Sequence, residues 1–445
     1  MAGSGPIKKF TKGREISTKF HELVPGASHT YSKGEDQFPF LSPQIMSHAK
    51  GSHCWDVDGN KYIDWAMGNR VMILGHANPT VNEAVKREID KGVNFTRPGI
   101  LEYEVAEFLT DLWPVAEMVK FGKNGSDVTH AAIKLSRAYT GRKFVAYCKD
   151  HPFFGIGDWF ISSTPCNSGI PDEIGDLTLT FRYNDLESVK ELFANHPKKI
   201  ACLILEPVKN EAPRDNFLSE LKALCEKEGT VLIFDEMISG VRFDIKGAHN
   251  MFKVTPHLAT FGKCISNGFS FSVLAGRKDI LELGGLKHDQ KRVFLLSQTH
   301  SSEAVGLAAV LATLKECIRL DVTSHVWSTG KKMVEGFNKL TQEMGVGLYV
   351  RIVGYDCNPQ IVCTKENGEY WPELHTSFHE EVISYGVLIP WISITFSHTD
   401  EDLNKTFEAL KMGLIKVKRI IETNSLSSSY EGEIIKPVFR MYNHK

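Results

Sequence analysis

The run Val231-Leu232-Ile233-Phe234-Asp235-Glu236-Met237 decides the fold. Four consecutive apolar residues ending on two acids read as a strand buried on both faces, since a half-exposed strand would alternate with polar residues. Three more runs share the texture: Met118-Val119-Lys120-Phe121, Phe144-Val145-Ala146-Tyr147 and Ile200-Ala201-Cys202-Leu203-Ile204-Leu205. Helical periodicity separates them at 81–91, 103–112, 128–140 and 186–194. Strands alternating with helices predict an α/β fold, a mostly parallel sheet sandwiched by helices, with ligands beyond the carboxyl ends of the strands.

The texture changes on either side. Residues 1–50 are polar and weakly periodic, and Asp56-Val57-Asp58-Gly59-Asn60-Lys61-Tyr62-Ile63-Asp64 reads as a hairpin around Asp58-Gly59-Asn60. Beyond residue 325 an amphipathic helix at 326–343 precedes strands at 348–353 and 360–363 and helices at 374–385 and 400–422. This pattern predicts a large domain over 66–325 and a smaller α+β domain over 326–423. Residues 1–65 are expected to join the small domain, and 424–445 to form a loosely packed extension.

Composition narrows the function. With 445 residues, 42% hydrophobic and 24% charged, the chain is an ordinary globular protein of two or three domains. A net charge of -2 gives no basic excess for nucleic acid or an anionic membrane surface. No apolar run reaches the roughly 18 residues that a membrane span requires. The nine cysteines are odd in number and lack Cys-x-x-Cys spacing, so they read as free thiols in a reducing, cytoplasmic compartment.

Three segments at strand ends bear chemistry. Phe121-Gly122-Lys123-Asn124-Gly125-Ser126-Asp127 opens a helix whose first N–H groups make a phosphate cradle, although a plain N-capped helix fits the same residues. Glu206 and Asp235 end apolar strands, where an acid is costly without a cationic partner. A protonated ring nitrogen, a structural salt bridge and a metal held by Asp235-Glu236 all answer that need. The pair lacks a His-x-x-x-His or comparable ligand spacing, which weakens the metal reading, and no metal is expected. In Thr260-Phe261-Gly262-Lys263-Cys264-Ile265-Ser266 a lysine sits among small and hydroxyl residues. It is either a surface lysine or an amine deprotonated by burial that attacks a carbonyl.

In this order and at these separations the segments resemble the class III (ω) aminotransferases of fold type I, in the branch of glutamate-1-semialdehyde aminomutase. The resemblance runs from about 24 to 410 and includes the hairpin, Ile73-Leu74-Gly75-His76-Ala77-Asn78-Pro79, Arg137-Ala138-Tyr139-Thr140-Gly141-Arg142 and Ser397-His398-Thr399-Asp400-Glu401-Asp402. It implies pyridoxal phosphate as cofactor, joined to Lys263 as an imine, with Asp235 on the pyridinium nitrogen. It implies further that Gly125, Ser126 and Asp127 surround the phosphate, that Phe153 stacks on the ring, and that Met237 and Glu206 flank it. Thr299 matches the threonine that reaches the neighbouring subunit's phosphate, which implies a homodimer.

The chain also departs from that pattern. Where the aminomutase branch carries a carboxylate-binding arginine, Pro25-Gly26-Ala27-Ser28-His29-Thr30-Tyr31-Ser32-Lys33 places Ser32, with Lys33 beside it. A Gly-Ser-Trp-Gly stretch becomes Gly68-Asn69-Arg70-Val71, making Arg70 an anion anchor or a structural ion-pair partner. His29 and His151 are further candidates for the pocket wall. The resemblance therefore implies transfer of an amino group from an amino acid, commonly glutamate, to a polar aldehyde or ketone. A sugar acid such as an 8-oxo-3-deoxy-octulosonate is one such acceptor, and a glutamate-1-semialdehyde-type 2,1-aminomutase is the alternative.

Overall fold

The computed structural model describes residues 6–7, 9–426 and 429–443. Residues 1–5, 8, 427–428 and 444–445, parts of the expected N-terminal segment and C-terminal extension, lie outside the described residues. The chain divides into two compact units. One comprises the residues up to Asn78 with Ser324–Val438; the other comprises Pro79–Thr323 with the residues from Phe439 on.

The first unit opens with α1 (Thr11–Leu23), followed by β1 (Met46–Lys50), β2 (His53–Asp56) and β3 (Lys61–Asp64). The hairpin is present, pairing His53 with Ile63 and Trp55 with Lys61. Asp56 shapes its turn, accepting from the N–H groups of Asp58 and Asn60 at 3.0 and 2.8 Å.

The second unit is built on seven strands: β4 (Met118–Gly122), β5 (Phe144–Cys148), β6 (Thr178–Phe181), β7 (Ile200–Leu205), β8 (Val231–Asp235), β9 (Leu258–Phe261) and β10 (Ser272–Gly276). Their order is β4-β10-β9-β8-β7-β5-β6. Pairing is parallel from β9 to β6, and only β10 is reversed, antiparallel to both β9 and β4. The connecting helices are α2 (Pro79–Ile89), α3 (Ile100–Leu112), α4 (Gly125–Thr140), α5 (Leu186–Asn195), α6 (Phe217–Glu228) and α7 (Ala304–Arg319). Alternation sorts the strand residues between two cores. Cys202, Ile204 and Ile233 pack with Val128, Ala132 and Leu135 of α4. Leu203, Leu205, Leu232 and Phe234 pack with Val189 of α5 and Leu221 of α6. Both faces are covered, which is why these strands read as continuous apolar runs.

The first unit resumes with α8 (Val322–Met344), the hairpin β11 (Val350–Tyr355) and β12 (Asn358–Cys363), then α9 (Pro372–Ser384), β13 (Val387–Leu388) and α10 (Asp400–Thr423). Strand β13 pairs in parallel with β3 and completes the small sheet.

Two boundaries differ from expectation. Residues 66–78 belong to the first unit because Ser393 N–H donates to the Trp65 carbonyl and Phe396 N–H to the Ile73 carbonyl, each at 2.8 Å. The tail is fastened rather than loose. Ile435 N–H donates to Thr376 Oγ1 at 2.9 Å, Lys436 N–H to the Asp36 carbonyl at 2.9 Å, and Glu431 N–H to Glu380 Oε2 at 3.1 Å. Its remaining end, at Phe439, packs into a core of the second unit.

Gly330 of α8 gives a test of packing in the first unit. A Cβ there would fall 1.7 Å from the backbone carbonyl oxygen of Asp356, between β11 and β12. Gly330→Ala is expected to cost about 2–3 kcal/mol in urea unfolding, because backbone rather than a side-chain tip must yield. An unchanged midpoint would contradict this packing.

Candidate active site

The carboxyl ends of β7, β8 and β9 share one edge of the sheet, since Leu205 is level with Phe234 and Asp235 with Thr260. Glu206 follows β7, Asp235 ends β8, and Gly262-Lys263 follow β9. Asp235 has the parity of Ile233, which turns its side chain to the face covered by α4. It is 4% exposed. Its Oδ1 accepts from Met237 N–H at 3.0 Å and Thr260 Oγ1–H at 3.2 Å. Burial, reinforced by the Glu206 carboxylate, pushes its pKa up to about 7, while the Met237 N–H, Lys263 and Thr260 oppose the rise.

Lys263 starts a short 3-10 turn with φ of +51°, so the chain leaves β9 through a left-handed kink. Met237 occupies the space between Gly262 and the start of α4. Its Sδ lies where a Cβ would approach to 2.6 Å at Gly262 and 3.0 Å at Gly125. Met237 thus packs against both glycines, and a side chain at either would make its thioether shift.

At the start of α4, Asp127 Oδ2 accepts from Lys123 and Asn124 N–H at 3.0 and 2.8 Å. This carboxylate caps its own helix, where its charge suits the dipole. That leaves Gly125 and Ser126 with first-turn N–H groups that have no acceptor within the helix, an arrangement suited to an anion. The loop is held from behind. Ser270 and Ser272 hydroxyls donate to the Lys123 and Asn124 carbonyls, each at 2.9 Å, and Lys123 pairs with Glu303.

Strand β5 leads to His151 and Phe153. Glu206 N–H donates to His151 Nδ1 at 3.1 Å, which leaves the imidazole proton on Nε2. Burial, with Lys209 adding to it, pushes this histidine down to about 3, so it is neutral. Ser126 Oγ accepts from Ile156 N–H at 3.1 Å, tying the Phe153-Phe154-Gly155 segment to α4. The Phe153 ring is 48% exposed. It meets Phe160 edge-on at 5.9 Å and lies nearly parallel to Phe439 at 6.4 Å.

The remaining candidates are placed elsewhere. Thr299 is exposed in a loop whose Thr299 carbonyl accepts from Asn94 Nδ2 at 3.0 Å. His29, Ser32, Lys33 and Arg70 belong to the first unit. There His29 and Lys33 line a cavity of about 1230 Å3, and Ser32 and Arg70 are absent from its lining. The Arg70 guanidinium stands 5.8 Å from the Trp391 ring centroid.

Sequence reading missed Thr260, the Lys123–Glu303 pair and Phe439. Only strand register reveals the first, and no local signal marks the other two. The Asp235-Glu236 pair also divides its labour. Glu236 Oε1 accepts from His249 N–H at 3.0 Å and lies 2.6 Å from His249 Nδ1, so it ties down the chain that follows.

These groups suit a phosphorylated pyridine aldehyde: a desolvated acid with a raised pKa for the ring nitrogen, a helix start free of side-chain obstruction for the phosphate, and a lysine for the carbonyl. A model of the class-III aminotransferase family matches residues 31–411. The chain is 30% identical over 423 residues to a 3-aminobutyryl-CoA aminotransferase of Cloacimonas acidaminovorans, covering 93% of this chain and 99% of the relative. It is 29% identical over 411 residues to a glutamate-1-semialdehyde 2,1-aminomutase of Francisella philomiragia, with coverages of 86% and 94%. Among solved structures, the FumI protein of Sphingopyxis sp. MTA144 in its PLP internal aldimine form shares the fold with a TM-score of 0.84 at 24% identity, over 93% of this chain and 98% of that one. An omega-transaminase from Sphaerobacter thermophilus does so with 0.82 at 22%, over 91% and 98%. Matched over most of its length, the chain belongs to the class-III aminotransferases and is a fold-type I enzyme dependent on pyridoxal phosphate.

Proposed function

We propose that the enzyme moves an amino group from an amino acid donor, glutamate first among them, to a polar aldehyde or ketone, with a sugar acid of the 8-oxo-3-deoxy-octulosonate kind as the acceptor to try first. The observation that carries the amino-transfer chemistry is the buried Asp235 at the strand edge it shares with Thr260, two residues before Gly262-Lys263. Pyridoxal phosphate, when bound, supplies the electron sink that makes a donor's Cα proton removable.

The residues divide the work as follows. Lys263 Nζ would hold the cofactor's carbonyl carbon and, as a free amine, would take the donor's Cα proton. Asp235 keeps the ring nitrogen protonated, a partner that repays the desolvation of its own charge. Thr260 and the Met237 N–H fix the carboxylate's direction. Gly125 and Ser126 hold the phosphate through backbone N–H groups, and Phe153 offers a ring for stacking. Thr299, exposed on its loop, serves the partner's site in a homodimer, which light scattering at twice the chain mass would test.

The polar acceptor is supported by Ser32 in place of the branch's arginine and by the polar groups of His29 and Lys33. The aminomutase relative favours a second reading, an intramolecular 2,1-aminomutase. Multiple turnovers on an external acceptor, with one keto acid released per amine formed, would exclude it. A donor screen followed by a panel of keto sugars and aldehydes tests the first reading; no external acceptor being aminated would sink it.

Lys263→Ala is expected to lower transamination by at least about a thousandfold with unchanged circular dichroism, because both carbonyl capture and proton transfer are lost. Wild-type turnover would remove Lys263 from the chemistry. Asp235→Asn is expected to retain cofactor and to slow Cα proton removal about a hundredfold or more, read as exchange of the donor's α-deuterium.

The same residue sets a pH dependence in the cofactor-free protein. Its pKa is about 7 folded against 3.8 for the ordinary group, so between about pH 4 and 7 the folded chain keeps a proton the unfolded chain has lost. Its contribution to stability therefore falls as pH rises through that window. The stability of Asp235→Asn relative to the parent is expected to rise by about 4 kcal/mol from pH 4 to 8 in urea titrations. A difference flat with pH would refute the raised pKa.

A further inference from the structure

The strongest feature outside the cofactor site is a histidine pair in the first unit. The sequence contains His375-Thr376-Ser377-Phe378-His379, a His-x-x-x-His spacing far from Asp235-Glu236 that reading for metal ligands around those acids passed over. Both histidines lie on α9, and residues four apart on a helix share a face. Their ring centroids are 4.2 Å apart with planes tilted by 45°.

His379 is 2% exposed, yet neither Nδ1 nor Nε2 has a hydrogen-bond partner among the described residues; nor has His375 Nδ1. Buried ring nitrogens without partners are costly, so something else is expected to meet them. Both histidines line a cavity of about 140 Å3, room for an ion with bound solvent. Burial depresses both, His375 to about 4 and His379 well below its ordinary value, so both are neutral with lone pairs available for coordination.

We propose that His375 and His379 chelate a divalent transition metal of the zinc and copper class, with solvent or a small anion completing its coordination. Imidazole nitrogens select this class, whereas magnesium and calcium require oxygen ligands. The other lining side chains are apolar except Gln37, whose Nε2 donates to the Lys436 carbonyl at 3.0 Å and whose amide oxygen is the only side-chain oxygen in the wall. Of the carboxylates nearest in sequence, Glu380 and Glu381 lie 3.5 and 3.3 Å from Lys416 Nζ, and Glu373 does not line the cavity. A bound hydroxide or halide would therefore offset part of the ion's charge. The ion would join α9 to the Gln37–Pro39 and Ile435 segments that share the cavity, giving it a structural role.

The test uses the full-length protein with pyridoxal phosphate bound, stripped of metal by a chelator and titrated with Cu2+ and, separately, Zn2+. We expect one equivalent per chain that is absent from H375Q/H379Q, with an electron paramagnetic resonance spectrum showing coupling to two ligand nitrogens. Each single variant should bind at least about tenfold more weakly, since loss of a ligand costs no less than loss of the groups that orient one. Zn2+ should raise the melting temperature of the parent but not of the double variant, and transamination without added metal should be the same in both. Equal binding by parent and double variant, or a spectrum without two-nitrogen coupling, would leave the cavity to water and overturn the proposal. Should the variants fail to fold, imidazole 15N shifts of the parent decide: no change at His375 and His379 on adding Zn2+ refutes it.

Discussion

A carboxyl group at the end of a fully buried strand is the constraint around which the catalytic unit is arranged. Asp235 is reached by two hydrogen-bond donors and faces a second acid, Glu206, and this surplus of negative potential in a dry place lifts its pKa to about 7. A lone acid so placed is a net cost to folding. The rest of the unit absorbs that cost with apolar cores on both faces of the sheet. A cation in the same place would turn the cost to use, the part that the proposed function gives to a protonated ring nitrogen.

The architecture of this unit was legible because burial on two faces writes itself as uninterrupted apolar runs. Strands β4, β5, β7 and β8 lie within a residue of their expected bounds, as does the long helix α10. What escaped was structure whose stabilisation is nonlocal. Helix α1 shows little in its sequence, since Gly13 and Ser17 are its buried residues and Lys12 and Gly13 N–H groups are held by Asp58. Strand β13 is two residues long and exists by pairing with β3. The tail after residue 424 is serine-rich and polar, yet backbone and side-chain hydrogen bonds to Asp36, Thr376 and Glu380 fix it. No local propensity announces such contacts.

The site was legible in a similar measure. Lys263, Asp235, Glu206, Gly125 and Met237 each stand at or next to a strand or helix end, where an out-of-place polar or small residue is conspicuous. Thr260 is invisible until β8 and β9 are in register, and Phe439 until the chain terminus is followed back to Phe153 and Phe160. Asp127 shows the limit of reading by position. Its place beside the helix start suggests phosphate binding, whereas its Oδ2 accepts from the Lys123 and Asn124 N–H groups and caps its own helix.

Met237 explains why the loops can be so poor in side chains and still be fixed. A methionine has an unbranched, adaptable side chain that fills an irregular gap, and here the gap is bounded by Gly125 on one side and Gly262 on the other. A Cβ at either glycine would push the sulfur aside, and so flexible a side chain can yield. One thioether, two residues beyond the acid, thus fills the gap between the start of α4 and the lysine turn. Strand register, the Ser270 and Ser272 hydrogen bonds behind the loop, the Lys123–Glu303 pair and this one packed side chain together fix the candidate groups, and positional tolerance of that kind is what catalysis demands.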